Sequence, residues 1–392
     1  MVQFNPPNTR LTDYLMVLGL IFNIDFKKKV EERLKELFQY KFALFTASGK
    51  QALYLLYKSL DSKNKKVIIS PLTCYHAILP FIFSGYEPVF VDIEPGTLNL
   101  NYNDLENKIK SSGGNILQLV YLSGNPENMR EIQTLKEKYG LTIIEDICMA
   151  FGSYYNGKLL GTFGEFAATS FMKNIYSTGG GALFLDDEKL FNKIKNESET
   201  FERKVEYKNR IYRFLRSVFN KYAHLKVCEV LYNKLLDYRD ISLDNLPIYE
   251  YDNFCDKIKY YPNQIDAAIT YSQLSNYDDT ISRKRKIALS IINKYPDKFI
   301  FQQEEKNSFW NYTNLLAILK DGNSYDTITK YQKRKIDVKH LEDRHNDIVP
   351  PRLDKIDLFA NNDSLKSCNN YLSLYDKIIN IPLSKGILSA KL

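Results

Sequence analysis

Residues 141–185 read LTIIEDICMAFGSYYNGKLLGTFGEFAATSFMKNIYSTGGGALFL, and the rest of the chain is organised around them. The stretch opens with an apolar strand that ends in two acids, Glu145 and Asp146. It closes with Lys173, a glycine cluster and a second apolar strand. An acid at the carboxyl end of a strand can pair with a cationic ring nitrogen, and a lysine can form an imine with an aldehyde. We therefore interpret Asp146 and Lys173 as a candidate cofactor site.

An alternation of apolar strands and amphipathic helices precedes this stretch. The pattern predicts strands at 42–45, 67–70, 88–93, 116–122 and 141–145, and helices at 26–40, 51–60, 103–111 and 128–139. Strands that are apolar throughout, joined by amphipathic helices, indicate an α/β fold with a mainly parallel sheet covered on both faces. Ligands of such sheets bind at the carboxyl ends of the strands. The predicted loops there contain Ser48–Lys50, Thr73–His76, Ser123–Asn125 and Asp146.

The turn Thr46–Lys50 lies between a predicted strand and a predicted helix. The free N–H groups at a helix N-terminus, together with the helix dipole, can bind an anion such as phosphate. The alternative is a plain capped helix, with Ser48 as its N-cap. This turn alone does not distinguish the two.

The carboxyl-terminal part of the sequence has a different pattern. We predict a large domain at 1–245 and a smaller α+β domain at 246–392. Within the first domain, residues 206–240 form a basic helical arm with arginines and lysines among apolar residues. Such a helix can lie on an anionic membrane surface with weak affinity, or it can pack on its own protein or on a partner subunit. We favour packing, because no lipidation motif accompanies the arm.

Composition excludes several classes of protein. The formal net charge of +7 is spread over 392 residues, without the clustered stripe that nucleic-acid binding requires. The five cysteines are scattered, and the four histidines do not combine with them at zinc-ligand spacing, so we expect reduced thiols and no metal site. The N-terminus lacks a signal-peptide pattern, and the apolar run 14–22 is too short to span a bilayer. These features predict a cytoplasmic protein.

Seven segments, in this order and spacing, resemble the DegT/DnrJ/EryC1/StrS family of sugar aminotransferases, as a divergent member. They are TASGKQAL (46–53), PVFVDIEPGTLNL (88–100), SGNPENMREIQTLKEKYGLTIIED (123–146), GSYYNGKLLGTFGEFAATSF (152–171), KNIYSTGGG (173–181), NQIDAAITYSQL (263–274) and NIPLS (380–384). The resemblance implies the fold of the type I pyridoxal-phosphate (PLP) enzymes and PLP as the cofactor.

The resemblance also implies roles for individual residues. Lys173 resembles the catalytic lysine that forms an imine with PLP and then moves the proton. Asp146 resembles the carboxylate that keeps the pyridine nitrogen protonated. Ser48, Gly49 and Lys50 resemble the turn whose N–H groups bind the phosphate, with help from the hydroxyl of Ser170.

The remaining cofactor-binding positions depart from the family pattern. Cys74 stands where an aromatic residue usually stacks on the cofactor ring, and Tyr75 or His76 is an alternative for that contact. Met149 replaces a glutamine near the ring hydroxyl. Lys259 lies in the loop that usually brings an asparagine and an arginine to the partner subunit's phosphate. Lys50 replaces a threonine, and the segment from Ser170 to Lys173 is two residues shorter than usual.

The resemblance predicts a homodimeric aminotransferase with its active site at the subunit interface. It implies transfer of an amino group from glutamate to a nucleotide-linked keto-sugar, in surface polysaccharide or related aminosugar biosynthesis. One alternative is a PLP-dependent sugar dehydratase, although such relatives usually have histidine where this chain has Lys173. Another is a non-catalytic or regulatory paralogue, or a scaffold docked on a membrane through residues 206–240.

Overall fold

The computed structural model describes residues 10–175, 177–201, 258–322, 324–333, 338–340, 352–381 and 383, together with Leu215, Val227 and Val230. The predicted arm at 206–240 lies outside the described residues, apart from those three, which are helical with exposed side chains. The predicted domain boundary at 245 also lies outside them. Both the arm and the boundary therefore stay predictions.

The regular elements agree closely with the periodicity of the sequence. The helices are α1 (Leu11–Leu15), α2 (Phe26–Phe38), α3 (Gly49–Ser59), α4 (Tyr75–Ile82), α5 (Tyr102–Ser112), α6 (Met129–Tyr139), α7 (Glu188–Glu199), α8 (Gln264–Gln273), α9 (Tyr277–Lys294), α10 (Ser324–Lys333), α11 (Asp357–Ala360), α12 (Asp363–Lys366) and α13 (Asn369–Leu374). The strands are β1 (Phe42–Thr46), β2 (Lys66–Ile69), β3 (Glu87–Phe90), β4 (Ile116–Val120), β5 (Thr142–Asp146), β6 (Tyr154–Tyr155), β7 (Lys158–Leu159), β8 (Phe166–Ser170), β9 (Gly181–Leu185), β10 (Phe299–Phe301), β11 (Ser308–Phe309), β12 (Leu315–Leu319), β13 (Lys339–His340) and β14 (Ile378–Ile381).

The chain divides into two compact units. The first comprises Met1–Asn5, Leu60–Ala168 and Asp278–Leu392, and the second comprises Pro6–Ser59 and Thr169–Tyr277. Strand β8 contributes its first three residues to the first unit and its last two to the second.

The first unit contains the parallel sheet predicted from the sequence. Its strands lie in the order β8-β5-β4-β2-β3, and each neighbouring pair is parallel. Because β2, β4 and β5 run in the same direction, the loops that follow them meet at one edge of the sheet. These loops contain Thr73–His76, Ser123–Asn125 and Asp146.

Two antiparallel sheets complete the first unit. One has the order β10-β12-β14-β13 and packs with Trp310, Ile287 and Ile291 in a common apolar core. The other joins β11 to the hairpin β6-β7, in which Tyr155 pairs with Lys158. Asn156 and Gly157 connect the two strands with φ angles of 48° and 74°, the left-handed pair that a two-residue Asn-Gly hairpin turn requires.

The second unit contains the antiparallel pair β1-β9 and the helices α2, α3, α7 and α8. Helix α2 buries Phe26, Val30, Leu34 and Phe38, which recur every four residues along one face. Burial of such a side chain contributes about 1.5–3 kcal/mol relative to exposure. The side-chain oxygen of Gln264 accepts hydrogen bonds from the first two N–H groups of α2, at 2.9 and 3.2 Å, and so fixes α8 against the start of α2.

Candidate active site

Adjacent acids at the end of β5 have different environments. Glu145 is fully buried and accepts hydrogen bonds from the Tyr121 hydroxyl at 2.6 Å and from the N–H groups of Gly161, Phe163 and Gly164 at 2.8, 2.6 and 2.7 Å. Burial raises the pKa of the Glu145 carboxyl. Successive residues of a strand point to opposite faces, so the carboxylate of Asp146 points away from this cluster. Glu145 therefore holds the 161–164 loop, and Asp146 lies on the opposite face of the strand from this cluster.

Asp146 is 5% exposed, and its Oδ1 atom accepts a hydrogen bond of 3.0 Å from the backbone N–H of Cys148. This short turn fixes the carboxylate at the edge of the sheet. Met149 follows in the same loop and is also buried, with its backbone carbonyl bonded to the side chains of Asn311 and Thr313. The structure thus brings two of the predicted site residues, Asp146 and Met149, into one loop with a fixed backbone.

The segment Cys74–His76 follows β2 at the same edge. Helix α4 begins at Tyr75, and the three side chains are half-buried. The Sγ atom of Cys74 lies 3.5 Å from Nδ1 of His76, and the rings of Tyr75 and His76 have centroids 4.1 Å apart. Tyr75 and His76 therefore contact each other, with the thiol beside the imidazole.

The predicted phosphate turn belongs to the second unit. The Thr46 hydroxyl donates to the Ser48 carbonyl at 2.9 Å, and the Ser48 hydroxyl accepts from the N–H of Gln51 at 3.2 Å. Ser48 is thus an N-cap of α3, as in the alternative that the sequence leaves open for this turn. A Cβ atom on Gly181 would lie 2.5 Å from the backbone nitrogen of Gly49, so only glycine permits this close approach of β9 to the start of α3.

Lys173 lies in a loop whose two ends are connected by backbone hydrogen bonds. The loop follows Ser170 at the end of β8, and Lys173 itself is half-buried. The N–H of Phe171 donates to the Gly180 carbonyl at 3.1 Å, and the N–H of Ser177 donates to the Phe171 carbonyl at 2.9 Å. We call the described residues of 171–180 the lysine loop.

Asp266 of helix α8 accepts hydrogen bonds from two residues of the lysine loop. Its carbonyl accepts from the Ser177 hydroxyl at 3.0 Å, and its carboxylate accepts from the Thr178 hydroxyl at 2.5 Å and from the side chain of Asn263 at 2.6 Å. Asp266 is 1% exposed. No sequence signal identifies its two partners in the lysine loop, because they lie about ninety residues away along the chain.

Gln51 connects two of the predicted cofactor-binding segments. Its Oε1 atom accepts from the N–H of Ala47 at 2.8 Å, and its Nε2 atom donates to the carbonyls of Ile258 and Tyr260 at 2.5 and 2.8 Å. These carbonyls flank Lys259. The structure therefore brings the phosphate turn and the Lys259 segment together through one buried side chain.

Neither a cluster of metal-ligand side chains nor a membrane-spanning helix occurs within the described ranges. No group of three or more histidine, cysteine, aspartate or glutamate side chains in that part of the chain is arranged to hold a metal ion. None of the helices that the structure describes combines the length and apolar character needed to cross a bilayer.

Solved structures identify the fold. The chain is similar to Helicobacter pylori PseC, an aminotransferase involved in the biosynthesis of pseudoaminic acid, with a TM-score of 0.72 and 20% identity over 98% of this chain and 94% of that one. It is also similar to an E. coli GDP-4-keto-6-deoxy-D-mannose-3-dehydratase with bound hydrated PLP, with a TM-score of 0.71 and 19% identity over 98% of this chain and 96% of that one. At these identities the likeness shows the fold alone, which is the PLP-enzyme fold of type I.

The family follows from the sequence comparison. The model of the DegT/DnrJ/EryC1/StrS aminotransferase family matches residues 15–217, just over half of the chain, and the chain belongs to this family. GDP-perosamine synthase of Escherichia coli O157:H7 is 28% identical over 291 residues, which are 74% of this chain and 68% of that protein. The chain spans 40–60% of the length of seven further curated relatives. The family and fold class predicted from the sequence are confirmed, and the predicted enzyme class and cofactor agree with these findings.

Proposed function

We propose that this protein is a PLP-dependent aminotransferase that transfers an amino group from glutamate to a nucleotide-linked keto-sugar. The observation that carries the proposal is the lysine loop. The chain belongs to an aminotransferase family, and its Lys173 is a half-buried lysine. This lysine lies on a loop that directly follows Ser170 and whose ends are connected by backbone hydrogen bonds.

Individual residues of the chain offer groups that suit particular parts of PLP. In the second unit, the N–H groups of Gly49 and Lys50 lie at the N-terminus of α3, and the absence of a side chain at Gly181 permits the close approach of β9 to the Gly49 nitrogen. In the first unit, Asp146 is a buried carboxylate with a fixed orientation. When bound, PLP supplies an electron sink that stabilises negative charge on the substrate carbon.

The proposed roles follow from the chemistry of each side chain. The amine of Lys173 would hold the cofactor and would then move a proton between the two carbons of the imine, as a general base and then a general acid. The Asp146 carboxylate accepts a hydrogen bond from the protonated ring nitrogen and so keeps the proton in place. The N–H groups of Ser48–Lys50 and the Ser170 hydroxyl bind the phosphate.

The residues at positions that depart from the family pattern also have roles in this proposal. We propose that the Cys74–Tyr75 segment covers one face of the ring, that Met149 lies beside the ring hydroxyl, and that Lys259 adds positive charge near a phosphate. The contact between the Tyr75 and His76 rings supports a fixed position for this segment. The hydrogen bonds to the Met149 carbonyl support a fixed position for its backbone.

The substrate and the setting are further parts of the proposal. A relative that covers most of this chain is a GDP-perosamine synthase, which supports a nucleotide-linked sugar as the substrate. We propose a cytoplasmic homodimer that acts in surface polysaccharide biosynthesis, with its active site at the subunit interface. Light scattering tests the dimer, which a monomeric mass at micromolar concentration would exclude.

Absorbance spectroscopy tests the cofactor assignment. Purified protein mixed with PLP is expected to show the band of lysine-bound cofactor, and Lys173→Ala is expected to abolish it. Lys189→Ala is the matched control, because Lys189 is an exposed lysine of α7. A wild-type protein without the band, or a band that survives in Lys173→Ala, would contradict the proposal.

Product analysis then separates a transaminase from a dehydratase. Glutamate is expected to convert the bound cofactor to its amine form, and a panel of GDP-, UDP- and dTDP-linked keto-sugars supplies the acceptors. Mass spectrometry distinguishes replacement of the keto oxygen by an amino group from loss of a hydroxyl group. Loss of a hydroxyl group, or no conversion with any amino donor, would exclude the transaminase.

A further inference from the structure

Asn311 is a fully buried amide that joins three separate segments of the first unit. Its Nδ2 atom donates to the carbonyls of Met149 and Phe151, at 2.9 and 3.0 Å. Its Oδ1 atom accepts from the N–H of Thr313 at 3.0 Å, and its own N–H donates to the Ser153 hydroxyl at 3.1 Å. Both hydrogens of the Asn311 amide are therefore donated to carbonyls of the loop that follows β5.

The third segment is the loop that follows β4. The Ser153 hydroxyl donates to the Gly124 carbonyl at 2.7 Å, and a Cβ atom on Gly124 would lie 2.0 Å from the Asn311 side-chain oxygen. The Ser123 carbonyl accepts from the Trp310 indole at 2.7 Å and from the Thr313 N–H at 3.0 Å. The loops after β4 and β5 are thus both fixed to residues 310–313.

The backbone in this region is held in an unfavourable conformation. Ser123 has a φ angle of 57° and Tyr312 a φ angle of 49°, in the left-handed region that side chains other than glycine rarely adopt. Both residues are almost completely buried. Such conformations cost about 1–3 kcal/mol each, and they persist where the surrounding contacts enforce them, often beside a functional site.

The loop that Asn311 holds begins with Asp146. The Cys148 N–H bonds to the Asp146 carboxylate, and the carbonyl of the next residue, Met149, bonds to both Asn311 and Thr313. A shift of the Met149 carbonyl would move the Cys148 N–H and thereby rotate the carboxylate. We propose that Asn311, assisted by Thr313, is a positioning residue that sets the orientation of Asp146 toward the cofactor ring. This inference rests on the proposed PLP function.

The variant Asn311→Asp tests the inference with almost no change in volume. It replaces the amide donor by a carboxylate oxygen, which would face two carbonyl oxygens at about 3 Å and repel them. Thr313→Val removes the hydroxyl, which bonds to the Met149 carbonyl and lies 3.1 Å from the Asn311 side-chain oxygen, and Thr313→Ser restores it. The matched control is Asn99→Asp, because Asn99 is a buried amide of the same unit that donates to the Pro126 carbonyl.

Three measurements are made on each variant. Thermal unfolding followed by far-UV circular dichroism identifies folded protein. Titration gives the dissociation constant for PLP, and visible circular dichroism of the bound cofactor reports how its ring is held. We expect Asn311→Asp to weaken PLP binding about ten- to a hundredfold and to reduce the visible signal, as misplacement of a positioned group does. Thr313→Val should lie between wild type and Asn311→Asp, and Asn99→Asp and Thr313→Ser should match wild type.

The outcomes distinguish this inference from the proposed function. If wild type fails to bind PLP, the proposed function fails, and the inference fails with it. If wild type binds PLP and folded Asn311→Asp keeps the wild-type dissociation constant and visible signal, the inference alone is wrong. If Asn311→Asp does not fold, the comparison of Thr313→Val with Thr313→Ser decides by the same two readouts.

Discussion

Gln51 joins the turn that begins α3 to the segment that carries Lys259, and replacing it by methionine tests that connection. Methionine has a similar length but lacks the amide. The change leaves the N–H of Ala47 and the carbonyls of Ile258 and Tyr260 without their partner. Ala47 and Ile258 are 5% and 2% exposed, so water does not replace the lost bonds there, whereas Tyr260 is half-buried.

The expected magnitude follows from these exposures. Each buried group left unsatisfied costs about 1–3 kcal/mol, so the two buried groups together lower the free energy of unfolding by about 2–6 kcal/mol. The carbonyl of Tyr260 adds little, because water can reach it. The phosphate turn also loses a support, and we expect PLP to bind about tenfold more weakly.

Urea unfolding of the cofactor-free protein and PLP titration of the folded protein check the two effects. The control is Gln133→Met, because the half-buried Gln133 donates a single hydrogen bond of 3.2 Å to the Phe163 carbonyl. The control should lose no more than about 1 kcal/mol. If Gln51→Met unfolds at the same urea concentration as wild type, with an unchanged slope, the reasoning from buried unsatisfied groups is refuted.

Three other changes test separate parts of the structure. Gly181→Ala places a methyl group 2.5 Å from the Gly49 nitrogen, and we expect weaker PLP binding by titration and a lower unfolding temperature; unchanged binding would contradict the close approach of β9 to α3. Asp266→Ala removes the acceptor of the Thr178 hydroxyl, and faster proteolysis within the lysine loop is expected by mass spectrometry, whereas a wild-type cleavage pattern would count against the tether. Burial raises the pKa of Glu127 to about 7, so the folded state holds a proton that the unfolded state releases above pH 4.5. Stability should therefore fall by on the order of 3 kcal/mol between about pH 4.5 and 7. Urea unfolding at pH 5 and at pH 8 gives the change in the free energy of unfolding, and Glu127→Gln should lack most of the wild-type fall. An equal fall between these two pH values in wild type and Glu127→Gln would contradict the assignment.

Much of the fold is predictable because it depends on local periodicity. Helix α2 shows apolar residues at helical spacing, and it begins at Phe26, as the sequence predicts. The Asn156-Gly157 hairpin also had a local signal, because that dipeptide favours a two-residue turn, but the sequence interpretation did not use it. Both features arise from residues that are neighbours in the chain.

The hydrogen bonds that support the candidate site are not predictable from local periodicity. Asn311 acts on carbonyls of residues 149 and 151, and Gln51 acts on carbonyls of residues 258 and 260. A carbonyl is present at every position, so these partners leave no trace in the sequence. The glycine cluster of the lysine loop was visible, but the need for glycine at 181 comes from the approach of a distant helix.

The supporting contacts also explain how the side chains around the proposed cofactor can depart from the family pattern. Asn311 holds Met149 through its backbone carbonyl, so the loop after β5 keeps its conformation whichever side chain stands at 149. Gln51 likewise holds the backbone at Ala47, and the N–H groups of the phosphate turn do not depend on the side chain of Lys50. Because backbone atoms maintain both turns, substitutions at these two positions change the side chain without moving the backbone that holds it. Divergence at Lys50 and Met149 is therefore expected to change which substrate binds rather than whether the cofactor does.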